Sequence, residues 1–332
     1  MTGTGCESPY DVHGHGVRVR TEDAALAFSA REALGGFGPA PDGGEPMLEI
    51  ELHAVARRTD VPVRPSAAAV LVGHAPQPGG TVGCAMLRDG ARWLLDFDQA
   101  GLFALDLNAG RVEGWLVEPG RMAPDWAASF VLLAAIELLR TRGIYAVHGA
   151  ALEKSGRGVL IAGPSGCGKT TACLALARAG YRVLSDDHPL LRFAAAGPEL
   201  LPFPGRIAVT ERTIGWFPEL RQAQDGFRQD TRKRSFDLAD VAGYRTGHAC
   251  RPALLVFPRI MECDRSVLEP LGKARALEEL LPQTLLVLDA ALAARQFQSM
   301  AALVRETPAY RLYFGEDVAA LPQRIDRLLE AA

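Results

Sequence analysis

The sequence lacks any Cys-x-x-Cys pair, although cysteines stand at positions 6, 84, 167, 173, 250 and 263. His248, Cys250 and Cys263 could be proposed as metal ligands, but their spacing matches no common zinc pattern, and they read instead as buried thiols and a surface histidine. A chain of 332 residues is long enough to bury a core without disulfide staples, so a reduced, cytoplasmic protein is expected. There is also no strong excess of charge. Lysine and arginine number 36 against 39 acidic residues, for a net charge of −3. That balance argues against an obligate nucleic-acid binder. The first residues, "MTGTGCESPYDVHGHG", have neither the basic nor the apolar region of a signal peptide. The longest apolar run, "AASFVLLAAIELL" at 127–139, is too short to span a bilayer and carries Glu137. It reads as a buried helix, and neither nucleic acid nor membrane is expected as a partner.

What is present divides in two. Residues 1–120 read as a smaller, strand-rich α+β domain. After a frayed start come a strand at 17–20, an amphipathic helix at 21–34 capped by Thr21, and strands at 47–55, 92–98, 101–108 and 111–118. The turn residues between the last three suggest antiparallel hairpins. "PGRMAP" at 119–124 is a candidate seam. Residues 125–332 read as α/β: a helix at 125–141, strands in "GIYAVHGAALE" and "GVLIAG", a helix at about 169–179, and the strand "YRVLSDD". Beyond these come a buried strand at 253–258, helices at 274–281 and 291–306, a strand at 309–315, and a last helix interrupted at Pro322.

Gly163, Gly168, Lys169 and Thr170 satisfy G-x-x-x-x-G-K-[ST] within "GPSGCGKTT". An apolar strand before the loop and a helix opening from it are the context that a phosphate-binding loop requires. Glycines let successive N–H groups turn onto phosphate, and the helix N-terminus adds positive potential. Ser165, Gly166 and Cys167 sit where backbone amides face phosphate, and Thr171 follows in the first helical turn. Lys169 supplies a cation near the β- and γ-phosphates, and the Thr170 hydroxyl suits Mg²⁺. ATP and Mg²⁺ are therefore the expected cofactors.

Asp186 and Asp187 close the next strand, seventeen residues beyond Lys169. With a standard crossover that strand runs parallel to the loop strand, so its C-terminal end arrives at the same sheet edge. A carboxylate there can accept a proton from an incoming hydroxyl, while its neighbour, pointing to the opposite face, reaches the metal. The alternative is a strand-end pair entering a turn toward His188 and Pro189. His148, just before the loop strand, is either a third member of the site or a hydrogen-bonded strand-end histidine. Arg232, Lys233 and Arg234 form a basic cluster, with Arg206 a weaker candidate of the same kind; each is a phosphate clamp or part of a solvated loop.

Together "VHG" (147–149), "GPSGCGKT" (163–170) and "SDD" (185–187) resemble the catalytic domain of the HPr kinase/phosphorylase family, which is similar in turn to the core of phosphoenolpyruvate carboxykinases. The resemblance implies a P-loop catalytic domain of that type and transfer of the ATP γ-phosphate to a hydroxyl, usually serine. Asp186 would be the base, with Asp187 and Thr170 at the metal and Lys169 and His148 stabilising charge. The family's Leu-Glu-x-Arg-Gly-x-Gly stretch is replaced by "LLPFPGRIAV" (200–209). That resembles the divergent HPr-kinase-like proteins, among them kinases of serine in ribosomally made peptides. A small-molecule alcohol as acceptor, or a nucleotide-binding regulator without transfer, are the alternative readings. HPr kinases form hexamers, so the resemblance also implies a homo-oligomer.

Overall fold

A computed structural model describes residues 6–41, 47–76, 83–222, 226–228, 233–237, 240–241, 243–284 and 288–331. The fold is mixed α/β with several sheets. It divides into two compact units: Met1–Arg142 with Leu286–Leu292, and Gly143–Leu285 with Ala293–Ala332. Among the described residues no helix is long and apolar enough to cross a membrane.

The first unit carries β1 (Cys6–Val12), β2 (His15–Thr21), α1 (Ala24–Leu34), β3 (Leu48–Val55), β4 (Val70–Pro76), β5 (Gly83–Asp89), β6 (Arg92–Asp96), β7 (Gly101–Asp106), β8 (Arg111–Val117) and α2 (Pro124–Thr141). Its eight strands form one sheet in the order β1-β2-β3-β8-β7-β6-β5-β4. The hairpins expected from β6 to β8 are antiparallel, while β3 runs parallel to both its neighbours. Two expectations are corrected. Residues 6–12 are not frayed: they pair along their whole length with β2. The cap of α1 is Asp23 rather than Thr21. Its carboxylate accepts from the Leu26 amide at 2.9 Å, while the Thr21 hydroxyl accepts from Asp23 N at 3.2 Å. The seam read at 119–124 precedes α2; the division falls after it, because α2 packs against α1 and β3.

The second unit carries β9 (Ile144–Ala146), β10 (Gly149–Lys154), β11 (Arg157–Ala162), α3 (Lys169–Arg178), β12 (Arg182–Ser185), β13 (Leu190–Ala194), β14 (Gly197–Leu201), β15 (Arg206–Val209) and α4 (Glu211–Trp216). It continues with β16 (Gly226–Arg228), β17 (Lys233–Asp237), β18 (Arg251–Ile260), β19 (Val267–Pro270), α5 (Lys273–Leu280), α6 (Ala290–Glu306) from Ala293 onward, β20 (Ala309–Phe314) and α7 (Leu321–Ala331). The main sheet has the order β12-β10-β11-β18-β20-β19, and two three-stranded sheets, β14-β13-β9 and β15-β17-β16, accompany it.

The central strands β10, β11 and the middle of β18 are buried on both faces, as their near-continuous apolar runs require. Val159 and Ile161 face one core with α3 and α7. Leu160 and Ala162 face the other, with α5 and α6. "GIYAVHGAALE" is not one strand. It breaks at Val147–His148, where the Val147 amide donates to Pro189 O and the His148 amide to Gln283 O, and the chain passes from one sheet to the next. Pro322 does not interrupt the last helix either. It is the second residue of α7, in the first turn, where a missing N–H costs little.

The apolar run around Glu137 is indeed a buried helix. Glu137 and Arg140 are both fully buried and pair at 2.6 Å. Burial pushes the Glu137 carboxyl up, and Arg140 opposes it. Removing one partner of such a pair strands the other. Arg140→Leu should therefore lower the unfolding free energy by about 3 kcal/mol in urea denaturation. The double variant Glu137→Leu/Arg140→Leu should recover most of that loss; a double variant no more stable than the single would contradict the pairing.

Candidate functional site

β11 ends at Ala162, and the chain turns through residues 163–168 before α3 opens at Lys169. Gly166 and Gly168 have φ of 82° and 104°, the left-handed region that side chains disfavour. At Gly168 a Cβ would also come within 2.9 Å of the Phe314 ring, so both conformation and space require glycine there. Lys169 is buried despite its charge. Its Nζ donates to Gly163 O at 2.7 Å and to Pro164 O at 3.0 Å, and lies 3.1 Å from His148 Nε2. A ring nitrogen facing an ammonium must be the accepting one. The His148 proton therefore sits on Nδ1, which faces Asp187 Oδ1 at 3.0 Å.

The two aspartates reach this place by a route the sequence did not suggest. β12 is parallel to β11 as expected, but β10 lies between them, antiparallel to both. The C-terminal ends of β11 and β12 and the N-terminal end of β10 therefore meet at one sheet edge. That brings the loop, the aspartates and His148 together. Beyond β12 the Ser185 hydroxyl accepts from the His188 amide at 3.1 Å and the Asp187 amide at 3.4 Å, turning the chain and separating the two carboxylates. Asp186 Oδ2 accepts from the Thr170 hydroxyl at 3.0 Å. Asp187 instead meets His148 and, through Oδ2, His188 Nδ1 at 3.3 Å. The expectation set Thr170 with Asp187; the geometry joins Thr170 to Asp186.

The environments drive the pair apart, as in sites that assign different duties to neighbouring carboxylates. Burial and the adjacent Asp187 push the Asp186 carboxyl up to about 7, against the opposing pull of Thr170, Cys173 and Lys169. Its Oδ1 is buried with no hydrogen-bond partner. For Asp187 burial acts upward too, but His188, His148 and Lys169 outweigh it and hold the carboxyl well below the usual range. Half of the Asp187 side chain faces solvent, which screens these attractions.

Two donor sets result. The Thr170 hydroxyl and the Asp186 carboxylate are hard oxygens that suit Mg²⁺, and the unpartnered Asp186 oxygen fits a cation. His148, Asp187 and His188 offer ligand atoms within 4.8 Å of one another, a nitrogen-rich set of the kind transition metals prefer.

Gly163, Ser165, Gly166, Cys167 and Gly168 form the turn itself, and Thr171 lies in the first turn of α3. Burial pushes the Cys167 thiol up, against Lys169. The basic residues are differently occupied. Arg206 donates to Ser235 Oγ at 3.1 Å and Ser235 O at 2.7 Å. Arg234 pairs with Glu211 at 2.9 Å. Lys233 lies on β17, in register with Arg228, and Arg232 falls outside the described residues. His188 was read only as a turn residue. Its place directly after the aspartate pair was the available signal, since the Ser185-anchored turn folds it back onto Asp187.

A family model described as SynChlorMet cassette protein ScmC matches residues 127–218. That stretch contains His148, the loop, both aspartates and His188, and it covers under a third of the chain. No curated protein matches the chain.

A carboxyl raised toward 7 in the folded state and ordinary when unfolded costs stability as pH rises from about 4 to about 7, because the native state holds its proton longer. Asp186→Asn, which keeps an acceptor for Thr170, escapes that loss. In the presence of a chelator, its melting temperature relative to the parent should climb between pH 5 and pH 8. A difference that stays flat or falls over that range would contradict the raised Asp186 carboxyl.

Proposed function

We propose that this chain is an ATP- and Mg²⁺-dependent kinase that transfers the γ-phosphate to a hydroxyl, with serine of a peptide or protein as the acceptor. The observation that carries the reading is the hydrogen bond between Thr170 and Asp186 at 3.0 Å. It joins the first helical turn after a glycine loop to the end of a parallel strand, with a buried lysine alongside. Loop amides and Lys169 are the groups that would bind phosphate oxygens, and Thr170 with Asp186 would hold the cation. Magnesium, when bound, supplies charge neutralisation between the terminal phosphates.

The remaining residues have roles that follow from their partners. Lys169 carries a positive charge on the loop carbonyls of Gly163 and Pro164 and is steadied by the accepting nitrogen of His148. Asp187 fixes that histidine through Nδ1 and is half exposed, so an acceptor hydroxyl can reach it and leave a proton there. This reverses the roles that the resemblance to HPr kinases suggests for Asp186 and Asp187. It follows from which carboxylate contacts Thr170. Loose transition states in phosphoryl transfer ask little of the base until late, so a carboxylate of low basicity suffices.

The stretch matched by the ScmC family model, residues 127–218, includes every residue named here. Incubation of the protein with ATP, Mg²⁺ and candidate serine peptides, read by intact mass, should show a gain of one phosphoryl group. Asp187→Asn should slow transfer by roughly 10²–10⁴-fold while nucleotide affinity by calorimetry stays near the parent value. Equal transfer rates for parent and variant would remove Asp187 from the chemistry. Asp186→Asn should instead raise the Mg²⁺ concentration needed for half-maximal nucleotide binding.

A further inference from the structure

The second unit contains a cavity of about 630 Å³ beside the loop, a size typical of small-molecule sites. It lies across the loop strand from the aspartates. β12 and β10 flank β11 on one side, and β18 and β20, whose ends wall the cavity, lie on the other. The rest of its lining comes from loop residues 164–167, β19 and α5.

The sheet register sets out its chemistry. Arg259, Tyr313 and Val267 are partners in one row, and Phe257, Arg311 and Glu269 in the next. Rows two residues apart share a face, so Arg259, Tyr313, Arg311 and Glu269 all line the same side. Their charges are not equally available. Arg311 is bound to Glu279, and Arg275 to Glu278 and Glu279. Among the described residues Arg259 and Glu269 have no ion-pair partner and are exposed. The cavity therefore presents an aromatic ring, an uncommitted guanidinium and an uncommitted carboxylate.

We propose, resting on the kinase reading above, that this cavity takes the nucleoside part of the triphosphate. Tyr313 stacks on the base, Glu269 accepts from the ribose hydroxyls, and Arg259 meets the phosphate nearest the sugar. The direction follows from the site itself. The terminal phosphate belongs at Lys169 and Asp186, and the edge beyond them is occupied by His148, Asp187 and His188. A polyphosphate lying on the loop leaves toward β18 and β20, where the cavity opens beside Ser165, Gly166 and Cys167. Aromatic stacking and a carboxylate on ribose hydroxyls are recurrent means of holding nucleosides.

Calorimetry of the full chain with Mg²⁺, using a non-hydrolysable ATP analogue and inorganic tripolyphosphate, separates the two halves of the ligand. The parent protein should bind the analogue more tightly than tripolyphosphate. Tyr313→Ala and Glu269→Ala should each weaken the analogue about tenfold and leave tripolyphosphate affinity unchanged. Glu269 is exposed on an edge strand, so its variant guards against a loss caused by misfolding. Equal parent affinities for the two ligands would overturn the assignment. So would analogue binding untouched in both variants, or parallel loss of both ligands. If the parent binds neither ligand, the kinase reading fails, and the nucleoside assignment fails with it.

Discussion

Strand β10 runs antiparallel to both of its neighbours, and the candidate site depends on that arrangement. Because β11 and β12 are thereby parallel, their C-terminal ends meet at the same edge with the start of β10 between them. Three successive segments contribute there: His148, the loop with Lys169 and Thr170, and the aspartate pair. Hydrogen bonds and charge contacts then link them into two chains, Thr170–Asp186 and Lys169–His148–Asp187–His188. If β12 paired directly with β11, His148 would have no place between them.

Electrostatics sharpen this geometry. Two adjacent carboxylates at a crowded edge cannot both ionise freely. Asp187 has two histidines and a lysine to support its charge; Asp186 has a hydroxyl, a thiol and a buried, unpartnered oxygen. The cost therefore falls on Asp186, whose carboxyl rises. A cation beside Thr170 would reverse that, since positive charge near a carboxylate favours its ionised form. Buried Lys169 is held by two loop carbonyls and a ring nitrogen. These hydrogen bonds offset much of the desolvation that would otherwise exclude an ammonium.

Local signals were legible in the sequence where backbone chemistry is local. The glycines at 166 and 168, the apolar strand before them and the helix after them all stand where the pattern puts them. So does the helix around Glu137, although its pairing with Arg140 emerges only in the fold. Long-range pairing was not legible. Nothing in "GIYAVHGAALE" reveals that it serves two sheets, because the break at His148 is enforced by the distant carbonyls of Pro189 and Gln283. Nor does "SDD" reveal which carboxylate meets Thr170, a matter settled by the Ser185 hydroxyl capturing two amides. The tract "LLPFPGRIAV" supplies β15, which pairs with β17 from Arg206 to Val209, a pairing invisible in a short run of mixed residues.

Determining the structure with Mg²⁺ and a non-hydrolysable ATP analogue bound tests the central claim most directly. The account predicts the phosphates on the amides of residues 165–170, with the cation held between the Thr170 hydroxyl and the Asp186 carboxylate. Asp187 and His148 should face the terminal phosphorus. A triphosphate bound elsewhere on the chain, or a cation with Asp186 turned from it, would contradict the account.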